Sequence, residues 1–205
     1  MSRCYNKTAS HILNRRRGPR RFYPAPLTDM DQVVAWVRQR FTINIIKVIG
    51  GSAVGNMAVE LAIKYGFAAV SLSGILDIDG WLQEHKNVVA QPDTTQDFTN
   101  AASATINQAG ADDAFYKWFI MNYLNQNLEL AEAATAYHRV NEGTGSMLLV
   151  NSLNEFVPTS GVLQLAARLA QMHVPVSTIW LAGTQHAKGY LAQVWPVVRD
   201  FLLAQ

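Results

Sequence analysis

A serine occupies a predicted turn from a strand into a helix, in the segment Gly50-Gly-Ser52-Ala-Val54-Gly55. At such a turn the hydroxyl would stand above the sheet, and the free N–H groups of the next helix would favour an oxyanion. The pattern is typical of the nucleophile turn G-x-S-x-G, except that Val54 replaces the second glycine. The alternative is a turn that binds phosphate at the helix N-terminus, although neither G-x-G-x-x-G nor a P-loop fits.

A histidine, His186, lies between the last predicted strand and the C-terminal helix, in Leu181-Ala-Gly-Thr-Gln-His-Ala-Lys-Gly-Tyr190. Because it follows the serine in chain order and lies just before the last helix, it is a candidate general base for Ser52. A single histidine is more often structural. We interpret the other four histidines as solvated or locally hydrogen-bonded: His11, His85, His138 and His173.

The acid that would orient this imidazole is expected in the loop after the third predicted strand, Asn151-Ser-Leu-Asn154-Glu155-Phe-Val-Pro158. Asp77 and Asp79, which follow the second strand, are an alternative, but a surface turn is the simpler interpretation of them. The carboxylates and histidines show no ligand spacing such as His-Glu-x-x-His, so we expect neither a metal nor a cofactor.

Strands and helices alternate along the chain, which predicts a parallel sheet between helical layers in an α/β fold. Four buried strands are predicted at residues 43–49, 67–72, 146–150 and 174–181. Helices are predicted from an N-cap at Thr28, at 53–65 with Gly66 as C-terminal cap, at 159–172 and at 189–203. Residues 93–142 are predicted to be a helical insertion between strands. Each candidate segment follows a strand, at the edge where parallel sheets carry their chemistry.

Composition sets the remaining limits. A chain of 205 residues with 49% apolar and 16% charged residues is an ordinary globular domain. The single cysteine, Cys4, allows no internal disulfide and favours a cytoplasmic location. No apolar run approaches the ~18 residues of a membrane span, so no span is expected.

The N-terminus is strongly basic, since residues 1–28 hold seven Lys and Arg and no acid. We expect residues 1–22 to be a basic leader outside the fold and residues 23–205 to form the domain. A nucleic-acid or anionic-membrane contact, or a transit peptide, is a weaker alternative for this tail. For the protein as a whole we expect no nucleic-acid partner.

From about Tyr23 to Leu203 the sequence resembles the α/β-hydrolase esterases of the acetyl-esterase and hormone-sensitive-lipase type. Gly50-Gly-Ser-Ala-Val-Gly-Asn-Met-Ala58 is similar to their G-D-S-A-G-G-N-x-A segment. Asn154-Glu-Phe-Val-Pro158 aligns with D-x-x-V-P, and Gly183-Thr-Gln-His-Ala187 with G-x-x-H. The resemblance implies a three-layer sandwich with a mostly parallel sheet and a helical cap at the insertion.

The resemblance also implies an activity, the hydrolysis of small to medium carboxylic esters. Ser52 would be the nucleophile, His186 the base and the Ala53 N–H an oxyanion donor. Asn154 takes the place of the acid, with Glu155 as a substitute only if the loop shifts, since its side chain is expected to point elsewhere.

Two departures from the family concern its N-terminal part. The H-G-G-G segment that supplies oxyanion donors is absent, and no strand is predicted before residue 43, so the fold is expected to be N-terminally incomplete. The first strand would then be an exposed apolar edge through which copies of the chain could associate. The alternative function is a catalytically impaired relative, truncated or degenerate, that acts as a binding protein or has no activity.

Overall fold

The computed structural model describes residues 22–43 and 45–204. The predicted leader therefore falls almost entirely outside the described residues. The elements, in chain order, are α1 (Ala25–Phe41), β1 (Lys47–Gly51), α2 (Ala53–Tyr65), β2 (Ala68–Leu72), α3 (Asp79–Glu84), α4 (Asp113–Tyr123), α5 (Ala131–Ala134), β3 (Met147–Ser152), α6 (Ser160–Gln171), β4 (Val176–Leu181) and α7 (Leu191–Ala204). Short 3-10 helices cover Leu128–Leu130, Ala136–Arg139 and Ala187–Gly189.

The four strands form one parallel sheet in the order β1-β2-β3-β4. The pairing aligns Gly51 with Leu72, Leu72 with Val150 and Val150 with Ile179. The carboxyl ends of all four strands consequently meet at one edge of the sheet, which we call the carboxyl edge. This confirms the predicted α/β fold with a parallel sheet.

Both faces of the sheet are covered by helices, because the central strands are apolar on both sides. On β3, Met147 and Leu149 pack with α2 and α6, whereas Leu148 and Val150 pack with α7. A third cluster joins the insertion to the loops at the carboxyl edge and includes Trp81, Phe115, Tyr116, Ile120 and Phe156. Residues 73–146, between β2 and β3, thus contribute their own core.

Most predicted elements are present with shifted ends, and α1 shows why. The helix begins at Ala25 and not after Thr28, because Pro24 at the cap and Pro26 in the first turn have a fixed φ that suits a helix start. Thr28 is therefore inside the helix, and its assignment as N-cap was wrong. Gly66 was predicted correctly as a C-terminal cap, since its φ of 71° is the left-handed conformation.

The strand β1 begins at Lys47, four residues later than predicted, and forms one end of the sheet within the described residues. Ile43, Ile45 and Ile49 are 39%, 74% and 41% exposed, respectively. The expected apolar edge is therefore present in the described part of the chain. An edge strand of this kind exposes, on its outer side, backbone N–H and C=O groups that can pair with another chain.

Candidate active site

Ser52 lies between β1 and α2 in a conformation that side chains rarely adopt, with φ 57° and ψ −128°. Such a conformation costs about 1–3 kcal/mol and persists only where the surroundings enforce it. A Cβ on Gly50 would lie 2.1 Å from the carbonyl oxygen of Val54, so strand and helix approach too closely there for any side chain. The side chain of Val54 is 52% exposed, and therefore does not crowd the turn.

The hydroxyl of Ser52 makes no capping hydrogen bond with α2, although the residue is the N-cap of that helix. The carbonyl oxygen of Ser52 accepts from the N–H groups of Gly55 and Asn56, at 2.8 and 3.3 Å. Ala53 is the first residue of the helix, and the first N–H groups of a helix have no carbonyl partner within it. The turn therefore places a hydroxyl and a helix N-terminus side by side at the carboxyl edge.

His186 is hydrogen-bonded through Nδ1 to Oε2 of Glu155. Both residues are buried, at 4% and 3% exposure. Asn154, by contrast, is exposed, and its backbone N–H donates to the carbonyl oxygen of Gly183 at 3.1 Å. The expectation that Asn154 stands beside the imidazole and that Glu155 points elsewhere is therefore corrected. The loop turns its next residue inward, and the longer glutamate reaches the ring.

Glu155 is held by several donors, which explains how the carboxylate is accommodated in a buried position. Its Oε1 accepts from the backbone N–H of Ser152 and from the hydroxyl of Ser73, both at 2.8 Å. The hydroxyl of Ser73 also lies 2.7 Å from that of Tyr190 and accepts from the N–H of Ala187 at 2.9 Å. Hydrogen bonds to charged groups contribute about 1.5–3 kcal/mol each, which offsets much of the cost of burial.

Tyr190 completes this arrangement beneath the pair. Its hydroxyl lies 2.9 Å from the carbonyl oxygen of Val150. Burial and the nearby carboxylate of Glu155 raise the pKa of the Tyr190 phenol far above its ordinary value. The phenol therefore stays protonated, and it serves the buried network as a neutral hydrogen-bonding group.

The other ring nitrogen of His186, Nε2, is buried and has no hydrogen-bond partner among the described residues. The hydroxyl of Ser52 is therefore not hydrogen-bonded to it. The two residues nevertheless belong to adjacent segments, because a Cβ on Gly51 would lie 3.1 Å from the Cβ of Ala187. Hydrogen bonds of a reacting group are often long without substrate and tighten when it binds.

Asp77, the alternative acid, lies elsewhere. It is buried and not part of a surface turn, and its Oδ1 accepts from the Gly80 N–H at 3.0 Å and from the Tyr137 hydroxyl at 3.2 Å. Burial raises the pKa of this carboxyl, against the lowering effect of the two hydrogen bonds. The carboxylate that contacts His186 is that of Glu155.

Sequence reasoning missed three features of this site. They are the inward orientation of Glu155 and the hydrogen bonds that Ser73 and Tyr190 make beneath it. One signal could have favoured Glu155, since it is the sole Asp or Glu between residues 143 and 199. No comparable signal marks Ser73 or Tyr190, because their contacts join segments 117 residues apart.

Within the described residues, no group of three or more His, Cys, Asp or Glu side chains could hold a metal ion. No helix there is both long and apolar enough to cross a membrane.

The parallel sheet, the serine at a strand-to-helix turn and the histidine after the last strand together define an α/β-hydrolase-type protein. Sequence comparison agrees with the geometry. The chain belongs to the alpha/beta hydrolase fold family, whose model matches residues 12–189. No curated protein matches the sequence closely enough to be counted as a relative.

Three solved structures illustrate the similarity in fold. A truncated carbohydrate esterase from gut microbiota is 15% identical with a TM-score of 0.60, over 89% of this chain and 69% of that one. Carboxyl esterase 2 of Tuber melanosporum is also 15% identical with a TM-score of 0.60, over 89% and 63%. A puromycin-hydrolyzing peptidase of Mycobacterium tuberculosis is 19% identical with a TM-score of 0.56, over 84% and 23%. The chain thus spans about a quarter of the peptidase and less than two thirds of the fungal esterase.

Proposed function

We propose that this chain is a carboxylic ester hydrolase that acts on esters of small to medium acyl chains through a serine nucleophile. The observation that carries the proposal is the buried pair of Glu155 and His186, whose Nε2 is left without a partner in the described part of the chain. A buried imidazole held through Nδ1 by a carboxylate is suited to accept a proton at Nε2.

In the proposed mechanism, Oγ of Ser52 attacks the carbonyl carbon of the ester while Nε2 of His186 takes the hydroxyl proton. The carboxylate of Glu155 stabilises the imidazolium that forms. The N–H of Ala53 donates to the oxyanion of the tetrahedral intermediate. His186 returns the proton to the departing alcohol, and water then hydrolyses the acyl-enzyme by the same steps.

The test is covalent labelling of the purified chain with a fluorophosphonate probe, followed by mapping of the modified residue. We expect modification of Ser52, turnover of p-nitrophenyl acetate, and loss of both in Ser52→Ala. Labelling of another serine, or a folded protein that shows neither labelling nor turnover, would disprove the proposal.

A second candidate is a catalytically impaired relative that binds ligands without turning them over. It is favoured by the buried Nε2 of His186, which has no hydrogen-bond partner among the described residues and so is not hydrogen-bonded to the Ser52 hydroxyl. Labelling of Ser52 by the fluorophosphonate together with negligible ester turnover would support this candidate. Both candidates are compatible with the cytoplasmic location that the single cysteine favours.

A further inference from the structure

A segment of the insertion, residues 106–110, contacts the loop that carries His186. Within it, Oε1 of Gln108 accepts from the backbone N–H of His186 at 2.9 Å. Nε2 of Gln108 donates to the carbonyl oxygen of the same residue at 3.0 Å. We call residues 106–110 the clamp segment.

These two hydrogen bonds fix the peptide groups on both sides of the Cα atom of His186. The N–H belongs to the peptide that precedes the residue, and the C=O to the one that follows. Holding both peptides restricts φ and ψ of His186, and these angles set the direction of its Cα–Cβ bond. One side-chain amide thereby orients the base from the backbone, while Glu155 orients its ring.

The loop is shaped to receive this amide. A Cβ on Gly189 would lie 2.0 Å from Oε1 of Gln108, so the side chain occupies space that only a glycine leaves open. The carbonyl oxygen of Gln108 accepts from the hydroxyl of Thr184 at 2.9 Å, which ties the backbone of the clamp segment to the same loop.

The clamp segment is itself anchored within the insertion. Asn107, which is buried with φ 57°, donates its backbone N–H to Oε1 of Gln96 at 2.6 Å. Nε2 of Gln96 donates to Oδ1 of Asn107 at 3.2 Å. Gly110, with φ 115°, lies where a Cβ would come within 3.2 Å of both the carbonyl oxygen of Asn154 and Cγ2 of Thr184. The segment thus lies against the loops of both Glu155 and His186.

We infer that Gln108 is a positioning residue for His186, through which the insertion holds the base in its reactive direction. The inference rests on the proposed ester hydrolysis. Gln108 itself contacts the backbone of His186 and not its ring, so it acts through the base.

The experiment compares two variants. Gln108→Ala removes the side-chain amide, whereas Gly189→Ala keeps Gln108 in the sequence but fills the space that its amide occupies. Both variants are expected to lower kcat by about 10- to 100-fold, since misplacement of a reacting group by ~1 Å has costs of that size. KM should change by less than about twofold, because binding of the substrate is not altered. Amide hydrogen exchange of residues 184–189 should become faster in both variants. Gln193→Ala, at an exposed position on α7, is the matched control.

The double variant decides between a shared cause and two separate ones. If displacement of the amide is the common effect, the double variant has the kcat of the more impaired single variant. Losses that multiply, or unchanged exchange of residues 184–189 in the single variants, would overturn the inference. Hydrogen exchange needs no catalysis, so it tests the role of the clamp segment even if Ser52 of the wild type is not labelled. Absence of that labelling would disprove only the proposed function.

Discussion

Glu155 and His186 form a hydrogen-bonded pair, Oε2 to Nδ1, with both side chains almost completely withdrawn from water. The pair joins the loop after β3 to the loop after β4. This pair takes the place of the pairing with Asn154 that the family pattern suggested. The residue beside the imidazole is therefore a carboxylate and not an amide, and its negative charge can stabilise an imidazolium.

The first prediction separates the two neighbouring residues. Glu155→Gln should lower kcat by up to about 10⁴, the size of the effect when the carboxylate of a serine protease triad becomes an amide. Asn154→Asp should change kcat little, because the side chain is exposed to solvent. Steady-state kinetics with p-nitrophenyl acetate measure both. A large gain in Asn154→Asp would instead show that the native acid position lies at residue 154.

The second prediction concerns the hydroxyl beneath the acid. Ser73→Ala removes a donor to Glu155 and should destabilise the protein by about 1–3 kcal/mol, because buried polar groups lose their partner. It should also lower kcat. Ser71→Ala is the control, since the Ser71 hydroxyl is buried with no partner in the described part of the chain, and its loss should be nearly neutral. Urea denaturation compares the two; equal destabilisation would contradict the assignment.

The third prediction follows from the backbone at Ser52. Because φ is 57°, glycine suits the position better than any side chain, and Ser52→Gly should raise the free energy of unfolding by about 1 kcal/mol. Ser52→Ala retains the Cβ and should not. Both lose labelling by the fluorophosphonate. Equal stability of the two variants would show that the turn stores no strain.

The fourth prediction uses the raised pKa of Asp77. The pKa of this carboxyl in the folded state lies above its ordinary value of 3.8, because the side chain is buried. The group therefore makes its full contribution to stability at a pH below 3.8. The contribution is lost as the pH rises through the folded pKa. Asp77→Asn removes this dependence, so its stability relative to wild type should increase between acidic and neutral pH.

Denaturation curves of both proteins across that range test the sign of the change. Ester turnover should survive in Asp77→Asn, because Asp77 makes its hydrogen bonds with Gly80 and Tyr137 and not with His186. Loss of turnover in a folded variant would restore Asp77 as a candidate acid.

The fifth prediction concerns β1, which forms one end of the sheet within the described residues. Ile45 is 74% exposed beside this strand, and an apolar edge favours pairing between copies. We therefore expect concentration-dependent association of the purified chain and its reduction in Ile45→Lys. Leu203→Lys adds the same charge at an equally exposed position on α7 and serves as control. Light scattering of eluted peaks measures the mass; equal reduction by both variants would point to net charge alone.

Local chemistry explains how much of this molecule was predictable. The β-branched runs, the glycines around Ser52 and the cap at Gly66 act over a few residues, so the strand, turn and helix could be placed from their spacing. The start of β1 could not, because pairing with β2 decides it. The start of α1 was within reach of the sequence, since Pro24 and Pro26 are local signals of a helix start that the assignment of Thr28 as N-cap overlooked.

The sequence by itself determined the parallel α/β architecture and placed a serine and a histidine after strands of one sheet. It did so because periodicity and chain order fix which edge of a parallel sheet a loop occupies. Only the tertiary structure decided that Glu155 and not Asn154 meets His186, and that Ser73, Tyr190 and Gln108 surround them. Those contacts join residues far apart in the chain, and their geometry depends on how the loops fold over the sheet.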